Sequence, residues 1–427
     1  MTEMKHLCRQ VLLATGTLAL VTGGAVAAEE ETSFDPEQFF TQGMEDRQAG
    51  KPYSSIKAFQ SVLNNQPALN RARLELAVAY LQTLQYQQAE AEAMKVLDDP
   101  DTPPNVRVSI LAFLAKVREE AKQLEPRHES SASIAVGLLF DSNVNVGPDS
   151  ETININGQDL TLLPGSSAEE DTALTVNLGV DHSYHTGMTQ QLGERTGIFI
   201  WQSGANYYHR GYTSEDEFDL DILSLWTGPA MITNGNWRGN LNLQYDHIRL
   251  GGSELANFFS LMPSATWSID PHTELTAGVD IANRNYVRSG DQGRDSKYYA
   301  FDIALGHGYM NNTLGVQGGI EYISNDADNE RYSYSGPGLF VGFNWQYEPR
   351  SQVYGRLGWR QSDYDGPEPL PPVSRDEDEI KLLLGFSHQF ENLWELNLDY
   401  LYLDNDSNIA LYDFDRDQLS LTVSRKL

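Results

Sequence analysis

The residues best suited to chemistry in this chain are its histidines and its clustered carboxylates. His182 and His185 in "DHSYH" and His307 in "LGHGYM" carry imidazoles, the side chain that most often serves as a general base. A hydrolase would also need a nucleophile in a recognisable setting. The sequence has no Gly-x-Ser-x-Gly elbow, no His-Glu-x-x-His and no glycine-rich phosphate loop. His307 falls on the apolar phase of its segment near a short turn, where an interfacial histidine sits; His182 and His185 are expected near the outer end of theirs. The runs "NDADNE", "DNDSN" and "SRDEDE" supply carboxylate oxygens of the kind Ca²⁺ favours, yet none has the spacing of an EF-hand loop. They read as solvated acidic loops. No catalytic residue, cofactor site or metal site is expected, and the chain is not read as an enzyme.

Composition narrows the partners. The formal charge is −30, from 30 basic and 60 acidic residues. Such a chain repels phosphate backbones, so nucleic acid is not a partner. Residues 1–28 form a secretory signal peptide, to be removed. Lys5 and Arg9 precede the apolar run "VLLATGTLALV", and "AVAA" supplies small residues for cleavage. Cys8 is the sole cysteine and precedes that run. The mature chain therefore has no disulfide, no lipid-bearing cysteine and no thiolate metal ligand.

Two kinds of element position what remains. Residues 35–125 carry helical patterning and a repeat. At a shift of 34, Gly43 aligns with Ala77, Ser55 with Ala89, Phe59 with Ala93 and Val62 with Val96. Thirty-four is the period of the tetratricopeptide repeat, a helix pair with small residues where helices touch. Two units and a closing helix, "PPNVRVSILAFLAKVREEAKQ", are expected. Stacked pairs form a concave surface for a protein partner. Tyr80, Tyr86 and Arg73 are the candidate client groove, with inter-helix packing the competing role for the tyrosines.

From about residue 131 the period becomes two. In "NWRGNLNLQYDH", Trp237, Gly239, Leu241, Leu243 and Tyr245 share one face; Arg238, Asn240, Asn242, Gln244 and Asp246 share the other. Fourteen such segments begin near 132, 172, 195, 217, 236, 255, 273, 297, 313, 333, 351, 377, 393 and 416. An apolar face suits either a β-sandwich core or a lipid bilayer. The aromatics favour lipid: Trp237 and Tyr245, like Trp394 and Tyr402, lie eight residues apart. At ~3.3 Å per residue and a tilt near ~40° this spans roughly 20 Å, close to the apolar band between aromatic girdles. Connections alternate between mostly short turns ("TNGN", "DPH", "MNN", "EPRS", "FEN", with "TGMTQQLGE" the longest) and mostly longer polar loops. That alternation marks an outer-membrane barrel.

The expected fold is therefore a short all-α repeat domain followed by a 14-stranded antiparallel transmembrane β-barrel at 131–427. Arg238, Asp246, Asp280, Arg284, Arg356, Arg360 and Asp399 are the candidate lumen-facing residues, forming a polar pore or a cross-lumen ion-pair network. In "GLLFDSNVNVGP" the first strand leaves the membrane, with Asp141, Asn143 and Asn145 at its outer rim as a barrel-entry motif.

The stretch "RARLELAVAYLQTLQYQQAEAEAMKVL", followed by the barrel entry "GLLFDSNVNVGP", resembles the surface lipoprotein assembly modifier family. The resemblance implies an outer-membrane protein of a Gram-negative bacterium with its helical domain in the periplasm. It implies a translocator carrying a client lipoprotein or secreted protein to the surface, through the lumen or through a side opening where the first and last strands meet. Its partners would be that client, outer-membrane lipids and the barrel assembly machinery. Two departures stand out: the repeat region is short, and the last strand ends in Leu427 rather than an aromatic residue. A polysaccharide-export porin and a passive porin with a repeat scaffold are the alternatives.

Overall fold

The computed structural model describes residues 35–155 and 157–427; the segment assigned to a signal peptide lies outside the described residues. Five helices come first: α1 (Pro36–Gln48), α2 (Pro52–Asn65), α3 (Asn70–Gln82), α4 (Tyr86–Leu97) and α5 (Pro104–Gln123). Proline opens α1, α2 and α5, where its missing N–H costs nothing and its fixed φ suits the first turn. Asp35 caps α1 by accepting from the Glu37 amide at 3.0 Å. The pattern with a shift of 34 is a burial pattern. Gly43, Ser55, Phe59, Val62, Ala77, Ala89, Ala93 and Val96 are all buried. Gly43 shows why smallness matters, since a Cβ there would lie 2.7 Å from Cε1 of Phe59.

The remaining strands are β1 (Arg127–Asp141), the small hairpin β2 (Thr152–Ile155) and β3 (Gln158–Thr161), β4 (Asp171–Leu192), β5 (Arg195–Tyr212), β6 (Leu220–Thr233), β7 (Trp237–Leu250) and β8 (Ser253–Ser268). They continue with β9 (Thr273–Tyr286), β10 (Ser296–Tyr309), β11 (Leu314–Ala327), β12 (Tyr334–Glu348), β13 (Ser351–Pro367), β14 (Ser374–Gln389), β15 (Trp394–Ser407) and β16 (Phe414–Lys426). All except β2 and β3 form one closed antiparallel barrel of fourteen strands, with β1 paired to β4 on one side and to β16 on the other. Closure removes the unpaired edges that a bilayer would not tolerate. The outer face is apolar: Ile134, Val136, Leu138 and Phe140 on β1, and Leu419, Leu421 and Val423 on β16, are exposed. Trp237 and Trp267 stack at 5.6 Å near one edge of this band. On the same strands Tyr245 and Phe259 lie toward the other edge, as an aromatic girdle requires.

Two expectations need correction. The run "TGMTQQLGE" is not a loop. It continues β4 past a bulge between His185 and Thr189, pairs with β5 from Thr189↔Ile198 to Leu192↔Arg195, and turns at Gly193 and Glu194. Gly187, at φ +70°, sits in that bulge, where a Cβ would meet the Leu124 carbonyl oxygen at 2.8 Å. His182 and His185 consequently lie toward the helical end of the barrel, opposite Ser130 and Arg127 of β1, and not near the long-loop end. The first long connection carries the β2–β3 hairpin.

Candidate functional site

The barrel has a polar inner wall. The residues that face it alternate with the exposed apolar row, which places Arg238, Asp246, Asp280, Arg284, Arg356, Arg360 and Asp399 inside. Arg238 makes a two-pronged pair with Glu274, at 2.7 and 2.5 Å. Arg360 pairs with Glu379 at 3.0 Å. Asp246 accepts from Ser224 Oγ at 2.5 Å and from Gln244, and Asp399 accepts from the Tyr354 hydroxyl. Arg284 lies over the Tyr298 ring at 3.7 Å, and Arg356 over Phe340 at 3.8 Å, a favourable cation–π geometry. Oδ1 of Asp280 is buried with no hydrogen-bond partner. Of the two expected arrangements, a polar pore or a cross-lumen ion-pair network, the second does not form among the described residues. Among the described residues these inner-wall ion pairs run along the wall between the same or nearby strands, because neighbours in the sheet are close and the opposite wall is a barrel width away.

The wall is not uniform. Between Ser133 and Leu139 the inward residues of β1 are Ser133, Ala135, Gly137 and Leu139; opposite them stand Thr175, Asn177 and Gly179 of β4 and Ser420, Thr422 and Ser424 of β16. The β1–β16 junction is thus lined mostly by small and hydroxyl side chains. Pairing there runs from Ala132, which exchanges backbone hydrogen bonds with Leu427, to Asp141↔Gln418, whereas β1 pairs with β4 from Arg127 onward.

At the long-loop end of this junction sits the entry motif. Asp141 is fully buried. Its oxygens accept from Arg416 Nε at 2.8 Å and Nη2 at 2.6 Å, from the Tyr212 hydroxyl at 2.6 Å and from Gln418 Nε2 at 2.7 Å. A buried carboxylate is tolerable only when so satisfied. Asn143 donates to the Gly147 and Asp415 carbonyls and accepts from the Gly147 amide. Asn145 donates to the Gly165 and Ser167 carbonyls and accepts from the Glu169 amide. The motif therefore ties the first long loop to both ends of the sheet. The sequence located these residues at the rim; Arg416 and Tyr212, which complete the knot, carried no local signal.

At the opposite end the helical domain is docked on the barrel. Glu194, in the β4–β5 turn, accepts from the Tyr53 amide at 2.8 Å, the Ser54 amide at 3.2 Å and Ser54 Oγ at 2.7 Å. Those amides are in the first turn of α2, where the helix presents free donors and the positive end of its dipole. Burial raises the Glu194 carboxyl, and these hydrogen bonds outweigh it, leaving the group below the ordinary glutamate value. Thr196 Oγ1 donates to the Thr83 carbonyl and meets the Tyr53 hydroxyl, each at 2.9 Å. Asn234, in the β6–β7 turn, donates to the Gln82 carbonyl at 2.7 Å.

The three groove candidates do not form an open groove. Tyr80 is a correction: it is 8% exposed within the helical core, and its hydroxyl accepts from Gln60 at 2.8 Å. Arg73 is held by Glu92 at 2.7 Å and by the Pro67 carbonyl at 2.6 Å. Tyr86 is half-buried against the same core, and burial followed by the nearby Glu120 raises its hydroxyl above the usual tyrosine value. Aromatic residues at helical spacing served packing here.

A family model for the outer membrane protein beta-barrel domain matches residues 255–426. No curated protein matches. Among solved structures, the chain is similar to the outer membrane channel DcaP of Acinetobacter baumannii, with 9% identity, a TM-score of 0.40 and coverage of 71% of this chain and 97% of that one. It is also similar to a bacterial polysaccharide outer membrane secretin, with 10% identity, a TM-score of 0.37 and coverage of 69% and 98%. A third is the anion-selective porin from Comamonas acidovorans, with 8% identity, a TM-score of 0.38 and coverage of 71% and 100%.

Proposed function

Starting from an outer-membrane β-barrel, we propose that this chain moves client proteins, either surface lipoproteins or secreted proteins, from the periplasm to the cell surface. In this reading the helical domain lies in the periplasm, is tetratricopeptide-like, and engages the client or its chaperone. The observation that carries it is the grip of Glu194 and Thr196 on α2 and α3, which holds the helix stack at the barrel rim. A passive pore has no use for a helix stack fixed at its mouth; a translocator does, because a tethered capture surface raises the local concentration of client at the entrance. The two-part layout is also that of the surface lipoprotein assembly modifier family.

The test is co-expression in a Gram-negative host with candidate surface lipoproteins and secreted proteins, followed by protease treatment of intact cells. Cleavage of a candidate only when this chain is present supports translocation. Unchanged exposure, with small solutes or glycans crossing instead, supports the polysaccharide-export or passive-porin reading.

A further inference from the structure

The inner wall carries a concave site that the translocator reading does not use. On β12 the inward residues are Gly336, Gly338, Phe340 and Gly342, and on β13 Gly358 sits between Arg356 and Arg360. The Gln361 carbonyl and the Glu321 side chain fill the space over Gly336 and Gly338, so the wall opens at Gly358, where a Cβ would find nothing nearer than the Leu339 carbonyl oxygen at 3.8 Å.

The result is a cavity of about 340 Å³ lined by Glu321, Phe340, Arg356, Arg360, Glu379 and Lys381. A second cavity of about 350 Å³ adjoins it, sharing Phe340 and Arg356 and adding Arg238, Glu274, Asp302 and Gln317. The guanidinium of Arg356 lies 3.8 Å over the Phe340 ring. Among the described residues neither Arg356 nor Lys381 has a hydrogen bond or an ion pair, whereas Arg360 and Arg238 are paired with Glu379 and Glu274.

The charges select the ligand class. Glu321 and Glu379 stand against a small anion, and Arg356, Arg360 and Lys381 against a small cation. A hydroxyl both donates and accepts, so a ring of hydroxyls can satisfy guanidinium, ammonium and carboxylate groups together. The flat Phe340–Arg356 stack between the two cavities offers an apolar surface for the C–H face of a pyranose. Two adjoining cavities around one stack fit consecutive sugar units. We propose that the Phe340–Arg356 recess is an oligosaccharide-binding site in the barrel lumen. It goes beyond the translocator reading and requires neither the helical domain nor its client.

The experiment is calorimetric titration of the full chain, folded in a detergent without a sugar headgroup, with maltohexaose and with chitohexaose. Sodium citrate and spermidine serve as charged controls. Folding of each variant is checked by heat-modifiable gel mobility. Saturable binding of at least one hexasaccharide is expected, undisturbed by either control. Gly358→Leu, which fills the recess, weakens it at least about tenfold, and Arg356→Gln, which removes a charged hydrogen-bond donor, about tenfold. If Gly358→Leu loses its folded mobility, Arg356→Gln decides. The proposal is overturned if neither hexasaccharide binds, if only citrate or spermidine binds, or if the folded variants bind as the wild type does.

Discussion

Arg416 holds Asp141 in a two-pronged ion pair, Nε at 2.8 Å and Nη2 at 2.6 Å, across the junction of the first and last barrel strands. On its inner face that junction has mostly small side chains mid-span, so this knot is its principal polar side-chain tie among the described residues. Asp141→Ala leaves a largely buried guanidinium without its partner and is expected to cost about 3–5 kcal/mol. The effect should appear as a lower urea midpoint for loss of heat-modifiable mobility. Arg416→Ala should behave alike, and the double variant should lose less than the sum of the two, as coupled neighbours do.

Docking of the helical domain should depend on pH through Glu194. Its folded value is depressed, so its stabilisation is fully present above the ordinary glutamate value of about 4.3 and is lost as pH falls through the lower folded value. A photo-activated cross-linker, whose chemistry does not depend on pH, placed across the α2–β5 contact should therefore cross-link fully at neutral pH and progressively less below about pH 4. Glu194→Gln should reduce cross-linking already at neutral pH. A pH-independent yield in the wild type would show that Glu194 does not hold the domain.

Gly43 and Phe59 meet inside the helix stack. Gly43→Ala forces a methyl group against the Phe59 ring and is expected to destabilise the helical domain by about 1–3 kcal/mol. Phe59→Ala, at a fully buried position, should cost about 3–5 kcal/mol. The helical circular-dichroism signal at 222 nm should melt earlier in both, while the barrel keeps its gel mobility.

The two faces of β15 should tolerate charge differently. Leu398 is on the exposed apolar face and Asn397 on the inner one. Leu398→Arg is expected to cost about 2–4 kcal/mol near the bilayer midplane, and Asn397→Arg little. Folding yield into lipid vesicles measures the difference; equal yields would contradict the assignment of faces.

The barrel was legible because alternation is a local property. Thirteen of its strands begin within three residues of the positions read from period and turn chemistry, and the first begins at Arg127 rather than near 132. Thr186–Glu194 was misread because its residues are polar and glycine-flanked. Its strand pairing is completed by β5, and its place is fixed by contacts with α2 and α3 far away in sequence. The entry motif was visible as Asp141, Asn143 and Asn145, but its chemistry depends on Arg416 and Tyr212, brought in by closure. Tyr80 shows the converse: an aromatic residue at repeat spacing reads first as inter-helix packing, and its burial in the helical core removes it from the candidate groove.

The most direct test of the account is client exposure on intact cells carrying a Glu194→Arg variant, which reverses the charge held by α2 and should free the helical domain while leaving the barrel assembled. The account predicts that the barrel reaches the outer membrane at wild-type level and that protease-accessible client falls sharply. Undiminished client exposure from a barrel whose helical domain has been shown by cross-linking to be undocked would contradict it.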